Sequence, residues 1–252
     1  MAEADSVRTE QLEKHLPSDS LYVFADIETD SIHANILLQI AAVTLTGETF
    51  NRFINPGCTL SESCTNFLGL YFYNGFLYKN GRRLPSEPII SVLNQFIQWI
   101  KSFNKNIILV FHNGFSFDCM VLARFFTKFN INIPSNLTTV CDTLPYFRKN
   151  LKATEVPNHK LSTIAKHFNI TNEHEHDALS DSLTLKLICV HLTEKSSIPM
   201  RDLFKDGFRP FTDFLNQQLG MKLIPLKKSL KQIFYVEKPA KQKKTKPKQK
   251  DQ

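Results

Sequence analysis

The chain has 252 residues, 42% of them hydrophobic, which suffices to bury one substantial α/β core with a short appendage. No apolar run approaches the roughly 20 residues that span a bilayer, and the polar opening MAEADSVRTEQLEKH lacks the apolar stretch of a secretory signal, so no membrane association and an intracellular protein are expected. The formal charge of +7 is uneven: residues 238–252 hold seven lysines and one aspartate, while the rest of the chain sets 24 basic against 23 acidic side chains.

Residues 1–18 read as a flexible lead-in. Leu21–Ala25 is wholly apolar and ends at Asp26, as expected of a central strand buried on both faces. A second apolar run, Ile36–Leu45, follows a connection too short for a parallel crossover, so the first two strands are expected to be antiparallel. Gly47 permits a turn into a third strand over Thr49–Ile54. Residues 56–88 fit no simple pattern: prolines bracket FLGLYFYNGFLY, a stretch packed with aromatics. Apolar residues at 89, 93, 96, 97, 100 and 103 then mark one face of a helix. Ile107–Phe111 predicts a buried strand, Cys119–Phe129 a helix, Thr138–Cys141 a strand, and Lys160–Phe168 and Asp177–Leu192 two more helices. In the last, Leu179, Leu183 and Leu187 line up at i, i+4 spacing. Three strands followed by helix–strand–helix–strand–helix describe a mixed sheet flanked by helices. The expected organisation is a domain over residues 19–195, a helical extension over 196–236 packed on it, and a Lys-rich tail over 237–252. That tail has too few apolar residues to form a core and is expected to be disordered. It suits attraction to phosphate backbones, nuclear import or solubility.

Five scattered cysteines with no CxxC pair predict reduced, structurally inert thiols rather than disulfides or a structural zinc site.

Three segments carry chemistry. Asp26-Ile27-Glu28 closes the first strand, and residues two apart on a strand point the same way. Two carboxylates at the mouth of an apolar strand repel unless a cation lies between them, although a solvated strand end also explains a lone DxE. His112-Asn113-Gly114-Phe115-Ser116-Phe117-Asp118 joins a buried strand to a helix, where Asp118 also suits the helix N-terminus. His176-Asp177-Ala178-Leu179-Ser180-Asp181 opens a later helix. His176, five positions before Asp181, stands on the preceding loop, and by itself reads equally as a solvent-exposed histidine. Asp142 is a rival acidic group, better read as a structural hydrogen-bond acceptor. A zinc pair from His174 and His176 is disfavoured because no cysteine pair accompanies it.

DIETD, HNGFSFD and HDALSD, in this order and context, resemble the DEDDh (DnaQ-like) 3′→5′ exonucleases. That group contains polymerase proofreading subunits, three-prime repair exonucleases, ribonuclease T and oligoribonuclease. The resemblance covers about residues 20–194, and CDTLPYF and KLSTIAKHFNI are similar to family segments as well. It implies a ribonuclease H-like α/β fold with a mixed five-stranded sheet whose second strand is antiparallel. It also implies two Mg²⁺ ions, for which Mn²⁺ can substitute. Asp26, Glu28 and Asp181 would hold one ion, with Asp26 bridging to a second on which Asp118 acts, and His176 would be the general base. Ile27, Thr29 and Asn113 would approach the terminal nucleotide, with Phe115 as a stacking partner.

The chemistry accounts for these residue types. Phosphodiester hydrolysis needs an activated water and a stabilised leaving 3′-oxygen, which two ions about 4 Å apart supply. Magnesium prefers carboxylate and water oxygens, manganese tolerates the same ligands, and an imidazole accepts a proton near neutral pH. The expected function is therefore release of nucleoside monophosphates from nucleic-acid 3′ ends. DNA is favoured over RNA because the chain's length and its spaced first and second motifs resemble the repair exonucleases. A binding module with little turnover is the alternative. A Ser or Cys hydrolase finds no support, since no G-x-S-x-G elbow exists and Cys119 sits on a predicted helix. Residues 60–83 depart from the family pattern; extra packing is the favoured reading, and a wedge in which Tyr71, Tyr73 or Phe76 stacks on substrate is the other. Nothing in the sequence fixes the oligomeric state, and the tail leaves nucleus and cytoplasm as the two expected locations.

Overall fold

The computed structural model describes residues 20–31, 36–172 and 174–220. The expected lead-in over 1–18, the Lys-rich tail and the end of the extension lie outside the described residues.

The first strand sets the architecture. In β1 (Ser20–Thr29), Leu21, Val23, Ala25 and Ile27 enter one apolar cluster while Tyr22 and Phe24 enter another. Alternation with period two thus buries both faces, which is why this segment is continuously apolar. β2 (Leu37–Thr44) and β3 (Thr49–Ile54) follow as antiparallel neighbours, as the short connections require. After α2, described below, β8 (Asn106–Phe111) and β9 (Leu137–Asp142) add parallel to the other side of β1.

The expected five strands are all present, but the sheet has seven, in the order β10-β9-β8-β1-β2-β3-β7. The added edge strands, β7 (Ser86–Glu87) and β10 (Phe208–Pro210), have two and three residues. Such short segments carry no periodicity, and their pairing to β3 and β9 is a tertiary event. Consequently the extension after residue 196 is not purely helical. α7 (Met200–Leu203) and a 3₁₀ turn (Lys205–Gly207) lead into β10, and α8 (Phe211–Gln218) returns over the sheet.

Helices cover both faces. On one face lie α2 (Ile89–Lys101), α3 (Asp118–Lys128) and α8. On the other lie α4 (Leu144–Asn150), α5 (Leu161–His167), α6 (Ala178–Ser196) and α7. α4 begins within CDTLPYF and runs to Asn150, and its seven residues are too few to show a period. α6 corrects the leucine stripe: Leu183 and Leu187 are 39% and 49% exposed, and Ala178, Ser182, Leu185, Ile188 and Cys189 face the sheet. The small residues Ala178 and Ser182 allow close approach, with the Ser182 hydroxyl donating to the Ala178 carbonyl at 2.7 Å.

Residues 60–83 form a unit of their own. α1 (Glu62–Leu68) is capped by the Ser61 hydroxyl and by Gly69 at φ 67°. It precedes a small sheet of β4 (Leu70–Tyr73), β5 (Phe76–Lys79) and β6 (Arg82–Arg83). The Asn74-Gly75 turn supplies the two positive φ values that a two-residue hairpin needs. Leu60, Cys64, Leu68, Leu70 and Leu77 close over Leu38 of β2, so this segment has its own core. The five cysteines are free thiols, four of them buried. Among the described residues no helix is long and apolar enough to cross a membrane.

Candidate active site

The site forms at the C-terminal end of β1, where strand ends open onto a cleft. Asp26 and Glu28 project from alternate positions of β1, and the pairing with β2 slips between Glu28 and Thr29. A bulge of this kind re-aims a side chain at the end of a ladder. Asp118 is the first residue of α3, and Asp181 lies in the first turn of α6. Both helices thus point their N-termini, where partial positive charge favours carboxylates, at the end of β1.

His176 stands just ahead of α6 with a left-handed backbone, φ 64°. Asp177, the N-cap, accepts from the Leu179 and Ser180 amides and separates the histidine from the helix. Ligating atoms of Glu28, His176 and Asp181 lie within 4.8 Å of one another. Asp26 lines the same cleft as His176 and Asp181, and among its charged neighbours Asp118 acts on it most strongly. The structure therefore brings together all five residues expected from the sequence.

Their electrostatics reflect crowding in a dry place. Burial, with the neighbouring carboxylates Asp118, Glu28 and Asp181 adding to it, holds Asp26 well above the usual carboxylate range. Burial pushes Glu28 up to about 8, with Asp181 and Asp118 adding to the rise and Lys79 opposing it. Asp118 is raised to about 7 by burial, against the hydrogen bonds from its own and the Ile27 backbone amides. Asp118 Oδ1 is buried and meets no donor among the described residues. Burial also raises Asp181, which the Asn172 amide (2.6 Å) and the His176 N–H (3.1 Å) counter. Clustered carboxylates with an orphaned buried oxygen fit a divalent cation in charge and in ligand type.

The second motif builds the adjoining wall. The Asp142 carboxylate accepts from the backbone amides of Asn113 (2.8 Å), Phe115 (3.1 Å) and Leu144 (2.9 Å), a loop-holding role rather than a catalytic one. His112 bridges Thr143 Oγ1 at 2.9 Å and the His159 carbonyl at 2.7 Å, and burial lowers its pKa. The resulting cleft, about 640 Å³, is lined by Asp26, Asn113, Arg148, Lys160, His176 and Asp181 among others.

Of the residues expected to meet substrate, Asn113 lines this cleft. Ile27, by contrast, is 4% exposed in the core and offers its amide to Asp118. Thr29 is buried, with its hydroxyl donating to the Ser31 carbonyl at 2.9 Å. The Phe115 ring packs against Phe214 at 5.6 Å and beneath the Arg209 guanidinium at 4.4 Å, both from the C-terminal extension. Arg148, Lys160, Asn172 and Lys79 escaped sequence reasoning. Single polar residues outside a motif carry no pattern, and each reaches the site only through folding.

Comparison with known proteins now decides the family. Residues 23–188 match the family model described as "Exonuclease" (RNase T). The chain belongs to this exonuclease family. Its domain is of the DEDDh, ribonuclease H-like type, and enzymes of this type depend on a divalent metal. The chain is 29% identical over 240 residues to the DNA polymerase III PolC-type of Streptococcus agalactiae, covering 87% of this chain and 15% of that protein. It is 28% identical over 198 residues to exonuclease DPD1, chloroplastic/mitochondrial, of Arabidopsis thaliana, covering 72% and 58%. It thus spans only part of the length of these relatives. The fold resembles that of E. coli exonuclease I in its zinc-bound complex with single-stranded DNA (TM-score 0.59, 15% identity, 74% of this chain and 42% of that one). It also resembles a 3′-exonuclease that recognises the 3′ end of the histone mRNA stem–loop (TM-score 0.54, 14% identity, 70% and 83%).

Proposed function

We propose that the exonuclease domain removes nucleoside 5′-monophosphates from the 3′ ends of DNA with Mg²⁺ as the metal. The observation that carries this reading is the convergence of Glu28, His176 and Asp181 within 4.8 Å beside Asp26 and Asp118, at the mouth of a cleft that also presents Arg148 and Lys160. Asp26, Glu28, Asp118 and Asp181 would hold two ions, which when bound supply an activated water and stabilise the departing 3′-oxygen. His176, on the loop at the cleft, accepts the proton of the attacking water. Water adds to phosphorus, the bond to the 3′-oxygen breaks, and the shortened strand keeps a 3′-hydroxyl. Arg148 and Lys160 offer positive charge to the strand's phosphates. Asn113 meets the terminal nucleotide.

DNA is favoured because the relatives at 28–29% identity include DNA polymerases. Closure of residues 60–83 over Leu38 of the main sheet favours packing over a wedge: Tyr71 stacks on Tyr78 at 5.1 Å, and the Arg83 guanidinium covers Phe76 at 3.5 Å. An intracellular location, nuclear or cytoplasmic, completes the reading.

The test is degradation of 5′-labelled DNA and RNA of one sequence with Mg²⁺, with Mn²⁺, and with EDTA. A ladder shortening from the 3′ end, abolished by EDTA and faster on DNA, is expected. Binding without shortening would instead make the domain a nucleic-acid-binding module, and faster loss of RNA would reverse the substrate preference.

A further inference from the structure

The unit formed by residues 60–83 touches the catalytic loop at two points that the exonuclease motifs do not explain. Phe67, near the end of α1, places its ring 4.0 Å from the His176 imidazole, with the two planes inclined at 41°. It is 64% exposed, so burial of its own surface does not account for its place. Lys79, at the end of β5, meets Asp177 with Nζ 3.0 Å from Oδ2.

Asp177 is the residue next to His176 and the cap of α6. Buried Gln39 also approaches its Oδ2, at 3.4 Å, while accepting from the Ala178 amide at 3.3 Å. The loop is therefore clamped from several directions. Asp181 takes the His176 N–H, Gln39 and Lys79 take Asp177, and Phe67 meets the imidazole face. A left-handed backbone at a residue other than glycine persists only where its surroundings impose it, and these contacts do so.

We propose that Lys79 and Phe67 are positioning residues for His176: the helix and hairpin of residues 60–83 fix the loop and the ring that take the proton from water. The inference rests on the exonuclease reading with His176 as the base. It assigns this unit a task in the reaction without placing it against the substrate. Lys79 fixes the backbone through Asp177, and Phe67 limits the swing of the imidazole. A base displaced by about 1 Å from its water loses much of its advantage, so the rate constant rather than substrate affinity should report the contacts.

The experiment combines a mutational cycle with a spectroscopic measurement on the full chain. Lys79→Met, Lys79→Arg and Phe67→Ala are made alone and together with His176→Ala, and kcat and KM are measured on a labelled DNA oligonucleotide with Mg²⁺. Lys79→Met and Phe67→Ala are each expected to lower kcat about tenfold with KM within about twofold, while Lys79→Arg recovers most of the loss. On the His176→Ala background the same changes should cost less than about twofold, because the group they position is gone. Equal losses on both backgrounds would overturn the proposal in favour of a route through Glu28 or the fold. A raised KM with kcat unchanged would overturn it in favour of direct substrate contact.

The second measurement needs no turnover. The His176 ring-proton NMR resonances should carry a ring-current shift that Phe67→Ala abolishes and Lys79→Met diminishes. Unchanged resonances in both variants would refute the positioning. If the unaltered protein releases no mononucleotide, the exonuclease reading fails, and the resonances still decide whether the imidazole is held.

Discussion

His176 and Asp181 share one short loop yet have different work. Asp181 accepts the His176 N–H and belongs with Glu28 in the cluster, so removing its carboxylate takes away a candidate ligand and a loop anchor together. His176 contributes a ring whose loss leaves the four carboxylates in place. His176→Ala should accordingly slow turnover by about a hundredfold or more while calorimetry shows Mg²⁺ still bound; near-normal turnover would remove its assigned role. The carboxylates predict a pH effect. Glu28 moves from an ordinary 4.5 to about 8, and Asp118 from 3.8 to about 7. Between each pair of values the folded chain holds a proton that the unfolded chain has released, so stability falls as pH rises through that window. The metal-free protein should therefore melt at progressively lower temperature from about pH 5 to about pH 8, and Mg²⁺ should raise the melting temperature more at the alkaline end. A pH-independent melting temperature would show that the carboxylates do not crowd one another in solution.

At the scale of elements, the end of β9 joins the site to the C-terminal extension. Asp142 holds two backbone amides of the second motif and that of Leu144, and a Cβ on Gly207 would collide with the Asp142 carbonyl. Asp142→Ala orphans three backbone donors, that of Leu144 buried and those of Asn113 and Phe115 partly buried, which should cost about 1–3 kcal/mol in denaturant unfolding and lower activity indirectly. A variant of native stability would argue against this role. The same junction shows why elements differed in legibility. β1, β8, α2 and α3 are long or apolar enough for their period to appear in the sequence, and the first two motifs sit at the ends of β1 and β8. α4, β7 and β10 are short, and their apolar residues match no period. In α6 burial follows what the sheet can admit, which is the small side chains of Ala178 and Ser182 rather than Leu183 and Leu187 of the leucine stripe. Likewise Phe115 is bracketed by Phe214 and Arg209, residues about a hundred positions away whose contact no local pattern announces.

For the whole molecule, charge is divided between a nearly neutral body and a C-terminal segment with seven lysines between residues 238 and 252. Deleting residues 238–252 should weaken DNA affinity at low salt and flatten its salt dependence while sparing kcat; equal affinity at every salt concentration would assign the tail to transport or solubility. The sequence by itself determined the order of the main strands and the antiparallel second strand, because apolar runs and short connections record both; the roles of Asp26, Glu28, Asp118, His176 and Asp181 followed from the resemblance of DIETD, HNGFSFD and HDALSD to the exonuclease motifs. Only the tertiary structure decided which residues surround those five: Lys79 on Asp177, Phe67 on His176, Asn172 on Asp181, and Arg148 and Lys160 in the cleft. Apart from Asn172 and Asp181, nine positions apart, these contacts join segments distant in the chain. They exist because packing the inserted hairpin and the return loops onto one sheet end brings them there, a condition that leaves no periodic mark in the sequence.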